Sequence, residues 1–204
     1  MHRSRRAAVA LGAALTLGGA SAAQADVHVG DQAPVFSLSD AAGLTHSLSQ
    51  YKGTFVVLEW FNNECPFVRK HYDSGGMQRL QAEAAARGVV WLTIASSAPG
   101  KQGHLTAEQA LTVISARGSR QTALLLDPAG TVGRLYGAKT TPHLFLINPA
   151  GRVIYAGAID DQPSTDPADL AGATNYVHQA LEEALAGKPV SVPSTKSYGC
   201  SVKY

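Results

Sequence analysis

Cys65 and Cys200 are the two residues of this sequence best suited to chemistry, and they are its only cysteines. The thiolate, not the thiol, is the nucleophile, so the setting of each sulfur decides what it can do. Cys65 follows the near-continuous apolar run Phe55-Val56-Val57-Leu58-Glu59-Trp60-Phe61 and precedes Pro66. Proline suits the first turn of a helix, where its missing N–H would be unpaired anyway. Cys65 therefore sits at a strand-to-helix junction, where free N–H groups and the helix dipole favour negative charge. Arg69, four residues on, can share a helical face with Cys65 and is expected to stabilise its thiolate. Lys70 and His71 read equally as a solvated basic face, and Glu64 acts in the opposite direction. Glu59 lies inside the apolar run. If it faces inward it must be paired or shifted upward in pKa, which makes a carboxyl a usable acid or base; the alternative is an outward-facing Glu at a sheet edge.

Cys200 lies near the C-terminus beside Gly199 and is the candidate resolving thiol. Cys65 would attack a disulfide, or be oxidised to a sulfenic acid, and Cys200 would then close an intramolecular disulfide. The alternative is a permanent Cys65–Cys200 staple on a non-catalytic binding or metal-carrier module, since two cysteines in an exported chain often mean a structural bridge. A Cys65/His143 pair could also hold copper or zinc. The histidines lack metal-ligand spacing, however, so neither a metal nor a cofactor is expected. Asp160 and Asp161 read as a solvated polar loop.

The elements that must position these residues alternate. Phe36–Leu38 and Leu44–Leu48 flank a Gly-containing turn and read as a hairpin. After the Phe55–Phe61 strand, a helical stretch runs to about Arg87, interrupted at Ser74-Gly75-Gly76. Val89–Ala95 is a second buried strand, and Thr106 caps a helix ending near Gly118. A short strand (Ala123–Leu126), one or two helical turns (Thr131–Tyr136) and a hairpin (His143–Ile147 with Arg152–Ala156) follow. Leu170–Ala186 has helical spacing. The last fifteen residues read as a tail that is loose or ordered only by contact. Strands alternating with helices predict an α/β fold with a mixed central sheet flanked by helices and an N-terminal β-hairpin extension.

The first 25 residues read differently. Arg3, Arg5 and Arg6 precede a small apolar stretch that ends in Ala23-Gln24-Ala25, the three-part pattern of a secretory leader. The expected organisation is a leader over 1–25, one domain over 26–187 and a tail over 188–204. The leader holds three Arg and no acid, so its removal takes the formal charge from +2 to −1. A near-neutral mature chain gives no electrostatic attraction to nucleic acid, and no membrane span is expected in it. The expected location is periplasmic or secreted.

The segment Phe55–Val68, together with Pro142, resembles the thioredoxin superfamily. Gln32-Ala33-Pro34-Val35-Phe36-Ser37-Leu38 and Leu48-Ser49-Gln50-Tyr51-Lys52-Gly53 resemble peroxiredoxins and periplasmic thioredoxin-like reductases, as does Tyr198–Tyr204. The nearest group is the peroxiredoxin-like (AhpC/TSA-type) redoxins that keep one cysteine at the first CxxC position. The resemblance implies a thioredoxin-like fold, with Cys65 as attacking cysteine, Pro142 as a cis-proline after Thr141, and Glu59 as the buried acid that moves protons. It also makes Thr141, Pro142, Pro66 and Trp60 substrate-facing. The implied partners are protein thiols or disulfides, or a small thiol or peroxide. Backbone groups beside a cis-proline can pair with an extended peptide. Val68 stands where CxxC has its second cysteine, and Asn62 stands where peroxiredoxins have threonine. Without that second cysteine the motif alone cannot form an internal disulfide, which supports the non-catalytic alternative; without the threonine, hydroperoxide reduction is less expected than thiol–disulfide exchange.

Overall fold

A computed structural model describes residues 26–204 of the chain; the expected leader lies outside the described residues. Strands β1 (Ser37–Ser39) and β2 (Thr45–Ser47) form the N-terminal antiparallel hairpin. The central sheet contains β3 (Val56–Trp60), β4 (Val90–Ala95), β5 (Ala123–Leu126), β7 (His143–Ile147) and β8 (Val153–Gly157), in the order β5-β4-β3-β7-β8. The β3–β4 and β4–β5 pairs are parallel, and the β3–β7 and β7–β8 pairs are antiparallel. The late hairpin thus makes the sheet mixed. The remaining strands, β6 (Thr140–Thr141) and β9 (Cys200–Ser201), form a separate two-stranded pair.

The α-helices among the described residues are α1 (Pro66–Asp73), α2 (Gly76–Ala86), α3 (Ala107–Arg117), α4 (Thr131–Leu135) and α5 (Tyr176–Leu185). Side chains of β3 alternate between two cores, as the period of a strand requires. Val57 and Phe61 face α1, α2 and α5, in a cluster with Cys65, Val68, Tyr72, Met77 and Leu181. Val56, Leu58 and Trp60 face the other side, with Phe36, Tyr136 and Phe145. Both faces of β3 are covered, which is why its sequence is a near-continuous apolar run.

One expectation is corrected. The last helix begins at Tyr176 rather than Leu170, because Asn175 caps it by accepting the His178 N–H at 2.9 Å. The preceding Pro167–Gly172 forms a separate 3₁₀ turn capped by Asp166. Of the two readings of the tail, the structure shows the one ordered by contact. The tail pairs with β6, its Val202 N–H donates to Lys139 O at 3.1 Å, and its Lys203 carbonyl accepts the Ala98 N–H at 2.8 Å.

Candidate active site

The β3–α1 junction places Cys65 as the N-cap of α1, with Pro66 at the first helical position. The side chain is fully buried. The Thr141–Pro142 peptide is cis, both residues are buried, and Thr141 lies beside the sulfur. The covering surface comes from the tail. Thr141 and Cys200 are opposite partners in the β6–β9 register, and the Cys200 N–H points at Cys65 Sγ from 3.4 Å. Both cysteines are free thiols. The two sulfur-bearing residues are thus 135 positions apart in sequence and adjacent in space.

As a thiol, Cys65 donates to the Thr141 carbonyl at 3.1 Å, a contact that favours the protonated form. Burial pushes the same way. The Cys200 thiol, the N–H groups of Val68 and Cys200 and the Thr141 hydroxyl outweigh both, so the Cys65 pKa lies below that of an ordinary thiol. Cys200 moves oppositely: burial, then the hydrogen bond and negative charge of Cys65, push it up to about 12. The two shifts run in opposite directions, so Cys65 gives up its proton before Cys200 does.

Glu59 is fully buried on the sheet face that carries α1 and α2. Its carboxylate accepts from Trp91 Nε1 (2.8 Å), Tyr72 OH (2.9 Å), Thr93 Oγ1 (3.1 Å) and Gln81 Nε2 (3.4 Å). Burial raises its pKa despite these four donors. The outward-facing alternative is thereby excluded.

Two expected roles, and the metal pair already set aside, do not survive the geometry. Trp60 is not substrate-facing. It lies on the opposite face from Cys65, packs against Tyr136 and Phe145 at 5.5 and 5.4 Å, and donates its indole N–H to Ser96 Oγ at 3.1 Å. The strict two-residue period of the strand sends it away from its neighbour Glu59. Arg69 does not hold the thiolate. Its side chain is 58% exposed, its Nε lies 3.6 Å from the Asp73 carboxylate, and it is not among the groups that shift Cys65. His143 faces the other core with Phe145, at 4.6 Å between ring centroids, so it cannot share a metal with Cys65. Among the described residues, no group of three or more His, Cys, Asp or Glu is arranged to hold a metal ion. Pro66 is exposed at the start of α1, next to the sulfur-bearing residue.

Lys70, His71 and Asp160 are not solvated. Each is buried, and together they receive the tail. Tyr198 donates its hydroxyl to Asp160 Oδ1, lies 3.3 Å from His71 Nε2 and places its ring 5.5 Å from Lys70 Nζ. Burial, moderated by Asp160 and reinforced by Lys70, takes the His71 pKa down to about 4, so this imidazole is neutral at physiological pH. Nothing in local periodicity joins positions 70, 160 and 198. Only the charged types, which buried sites rarely hold unpaired, could have flagged them.

The family model for the AhpC/TSA family matches residues 29–156, from the chain entering the N-terminal hairpin to β8. This chain belongs to the AhpC/TSA family. The AhpC/TSA assignment agrees with solved structures. A hypothetical protein from Sinorhizobium meliloti 1021 is 26% identical, with a TM-score of 0.73 over 88% of this chain and 96% of that one. An uncharacterized conserved protein from Geobacillus kaustophilus is 26% identical, with a TM-score of 0.77 over 87% and 92%. A candidate thiol:disulfide interchange protein DsbE from Chlorobium tepidum is 25% identical, with a TM-score of 0.56 over 79% and 98%. No curated protein matches the chain. The fold is the thioredoxin-like α/β fold, and the family is one of thiol–disulfide oxidoreductases and peroxiredoxins. The match stops at residue 156, so the segment carrying Cys200 lies outside it.

Proposed function

We propose that this protein is an exported thiol–disulfide oxidoreductase in which Cys65 is the nucleophile and Cys200 the resolving thiol. The observation that carries the reading is the approach of the Cys200 N–H to Cys65 Sγ at 3.4 Å, with the two thiol pKa values pushed apart. Export rests on the leader pattern over residues 1–25 and gives a periplasmic or secreted location. No helix of the described residues is long and apolar enough to cross a membrane.

The Cys65 thiolate attacks one sulfur of a partner disulfide. A Cys65–partner disulfide forms, the partner's S–S bond breaks, and the other partner sulfur leaves as a thiolate. Cys65 no longer carries negative charge, so the part of the upward shift at Cys200 that came from Cys65 disappears. Cys200 then attacks Cys65 Sγ and its proton passes to the departing partner thiolate. The partner gains two electrons and ends as one thiol and one thiolate, the latter taking its proton from solvent, and the chain loses two electrons as the Cys65–Cys200 disulfide. The same steps reversed oxidise a partner dithiol. Thr141 and Pro142 line the reacting sulfur. Glu59, buried on the same sheet face with a raised pKa, is the proton carrier of the exchange.

The test is the reduction potential of the Cys65–Cys200 pair in glutathione or dithiothreitol buffers, with the disulfide followed by mass. A value between about −120 and −270 mV matches working redox proteins. A value below about −300 mV marks a structural staple and replaces this reading with a non-catalytic module.

A further inference from the structure

While the tail is seated, Cys65 has no exposed surface, so no outside disulfide can reach it. A partner must take the place of the tail, and the way the tail is held describes what fits. Numbered from Cys200, position −2 is Tyr198. Its ring lies 5.8 Å from that of Phe67, edge to face, and its hydroxyl donates to the buried Asp160 carboxylate. Position −1 is Gly199, at φ +123°, where a Cβ would stand 2.1 Å from the Thr141 carbonyl oxygen. Position +4 is Tyr204. Its hydroxyl donates to Ala138 O at 2.7 Å, and its ring lies 4.5 Å from the Arg134 guanidinium. A Cβ on Gly133 would meet the Tyr204 ring at 2.5 Å, so this seat exists only because Gly133 lacks one. The other contacts, Thr141 with Cys200, Lys139 O with Val202 N–H and Ala98 N–H with Lys203 O, use backbone atoms that any extended peptide offers.

We propose that this strip is the docking surface for the partner protein. The partner would be an extended segment with glycine just before its cysteine, a phenolic ring two residues before it and a second aromatic four residues after it; the tail is a tethered stand-in for that segment. The inference rests on the reading of Cys65 as the nucleophile. It also couples the two exchange steps. The returning tail brings Cys200 to Cys65 and displaces the reduced partner from the same strip.

The experiment uses the full chain with Cys200→Ser and synthetic peptides whose cysteine is joined to thionitrobenzoate. The Cys65 thiolate attacks the peptide sulfur, the peptide–thionitrobenzoate bond breaks, and thionitrobenzoate leaves as a coloured thiolate. The peptide Ser-Tyr-Gly-Cys-Ser-Val-Lys-Tyr is compared with versions carrying Ala at −2, −1 or +4. Each Ala is expected to slow the reaction about tenfold, about 1.4 kcal/mol per seat. In Gly133→Ala the +4 seat is filled, so the dependence on the +4 tyrosine disappears while that on the −2 tyrosine remains. Equal rates for all four peptides would overturn the docking proposal and leave the redox reading intact. If Cys65 attacks no peptide disulfide although it titrates normally after denaturation, the redox reading falls, and the docking proposal with it. With Cys200 of the Cys65→Ser chain joined to thionitrobenzoate, attack by Cys65 of a Cys200→Ser chain at the rate of the tail peptide, releasing thionitrobenzoate and leaving an intermolecular disulfide, would make a second copy's tail the occupant and overturn assignment to an outside partner.

Discussion

Thr141 and Cys200 face each other across a two-residue antiparallel pair, and this register aims the Cys200 N–H at the Cys65 sulfur. One short strand pair therefore supplies two N–H or S–H donors to the thiolate and covers it from solvent. The consequences are measurable.

Cys200→Ala removes the thiol that leads the groups holding the Cys65 pKa down. The midpoint of the pH–rate curve for Cys65 alkylation should rise by about one unit, the worth of one charge-assisted hydrogen bond. The midpoint is the readout, because any gain in access alters the plateau rate but not the pKa. An unchanged or lower midpoint would show that Cys200 does not stabilise the thiolate.

Gly199→Ala places a Cβ against the Thr141 carbonyl at a left-handed backbone position. The tail should unseat around residues 198–204, and Cys65 in the reduced protein should be labelled by iodoacetamide at least about tenfold faster than in the parent, an opening of about 1.4 kcal/mol. Hydrogen exchange at the Cys200 and Val202 amides should rise in parallel. Protection equal to the parent would mean that the tail is held without the Thr141 contact.

Glu59 binds its proton more tightly in the fold than in the unfolded chain, because burial raises its pKa. Its contribution to stability is full below the unfolded value of about 4.3 and is lost as pH rises through the folded one. Glu59→Gln keeps an acceptor for Trp91 and Thr93 and carries no charge. The variant should lose this part of the fall in melting temperature with rising pH, and its thiol-exchange rate should drop roughly tenfold to a hundredfold. An unaltered pH–stability curve would show that Glu59 is not the titrating group.

Trp60 and Arg69 separate packing from chemistry. Trp60→Ala should cost about 3–5 kcal/mol of stability, as large-to-small core changes do. Its folded fraction should keep the parent alkylation midpoint. Arg69→Ala should leave both stability and that midpoint within about 0.5 kcal/mol, the range of exposed surface changes. A midpoint raised by Arg69→Ala would restore this arginine to the thiolate.

Much of the fold is legible in local sequence. The apolar run of β3, Pro66 at the start of α1, the break at Ser74-Gly75-Gly76 and the Thr106 cap all act over one or two turns. The chemistry of Cys65 is partly legible for the same reason: its strand–helix junction is a local feature. The faces of the sheet are less so. When both sides of a strand are apolar, alternation no longer tells which residues turn toward the site, and Trp60, which the resemblance made substrate-facing, is core on the other side.

The sequence by itself determined the alternating α/β architecture and the strand–helix junction that carries Cys65, and it left the facing of Glu59 open. These follow from periodicity, capping and proline geometry, all short-range. The tertiary structure alone decided that the tail forms a strand against Thr141, that this strand brings Cys200 to Cys65, and that Lys70, His71 and Asp160 gather around Tyr198. Those contacts join residues up to 135 positions apart. Their energy comes from burial and from hydrogen bonds completed only when distant segments meet, which no local pattern encodes.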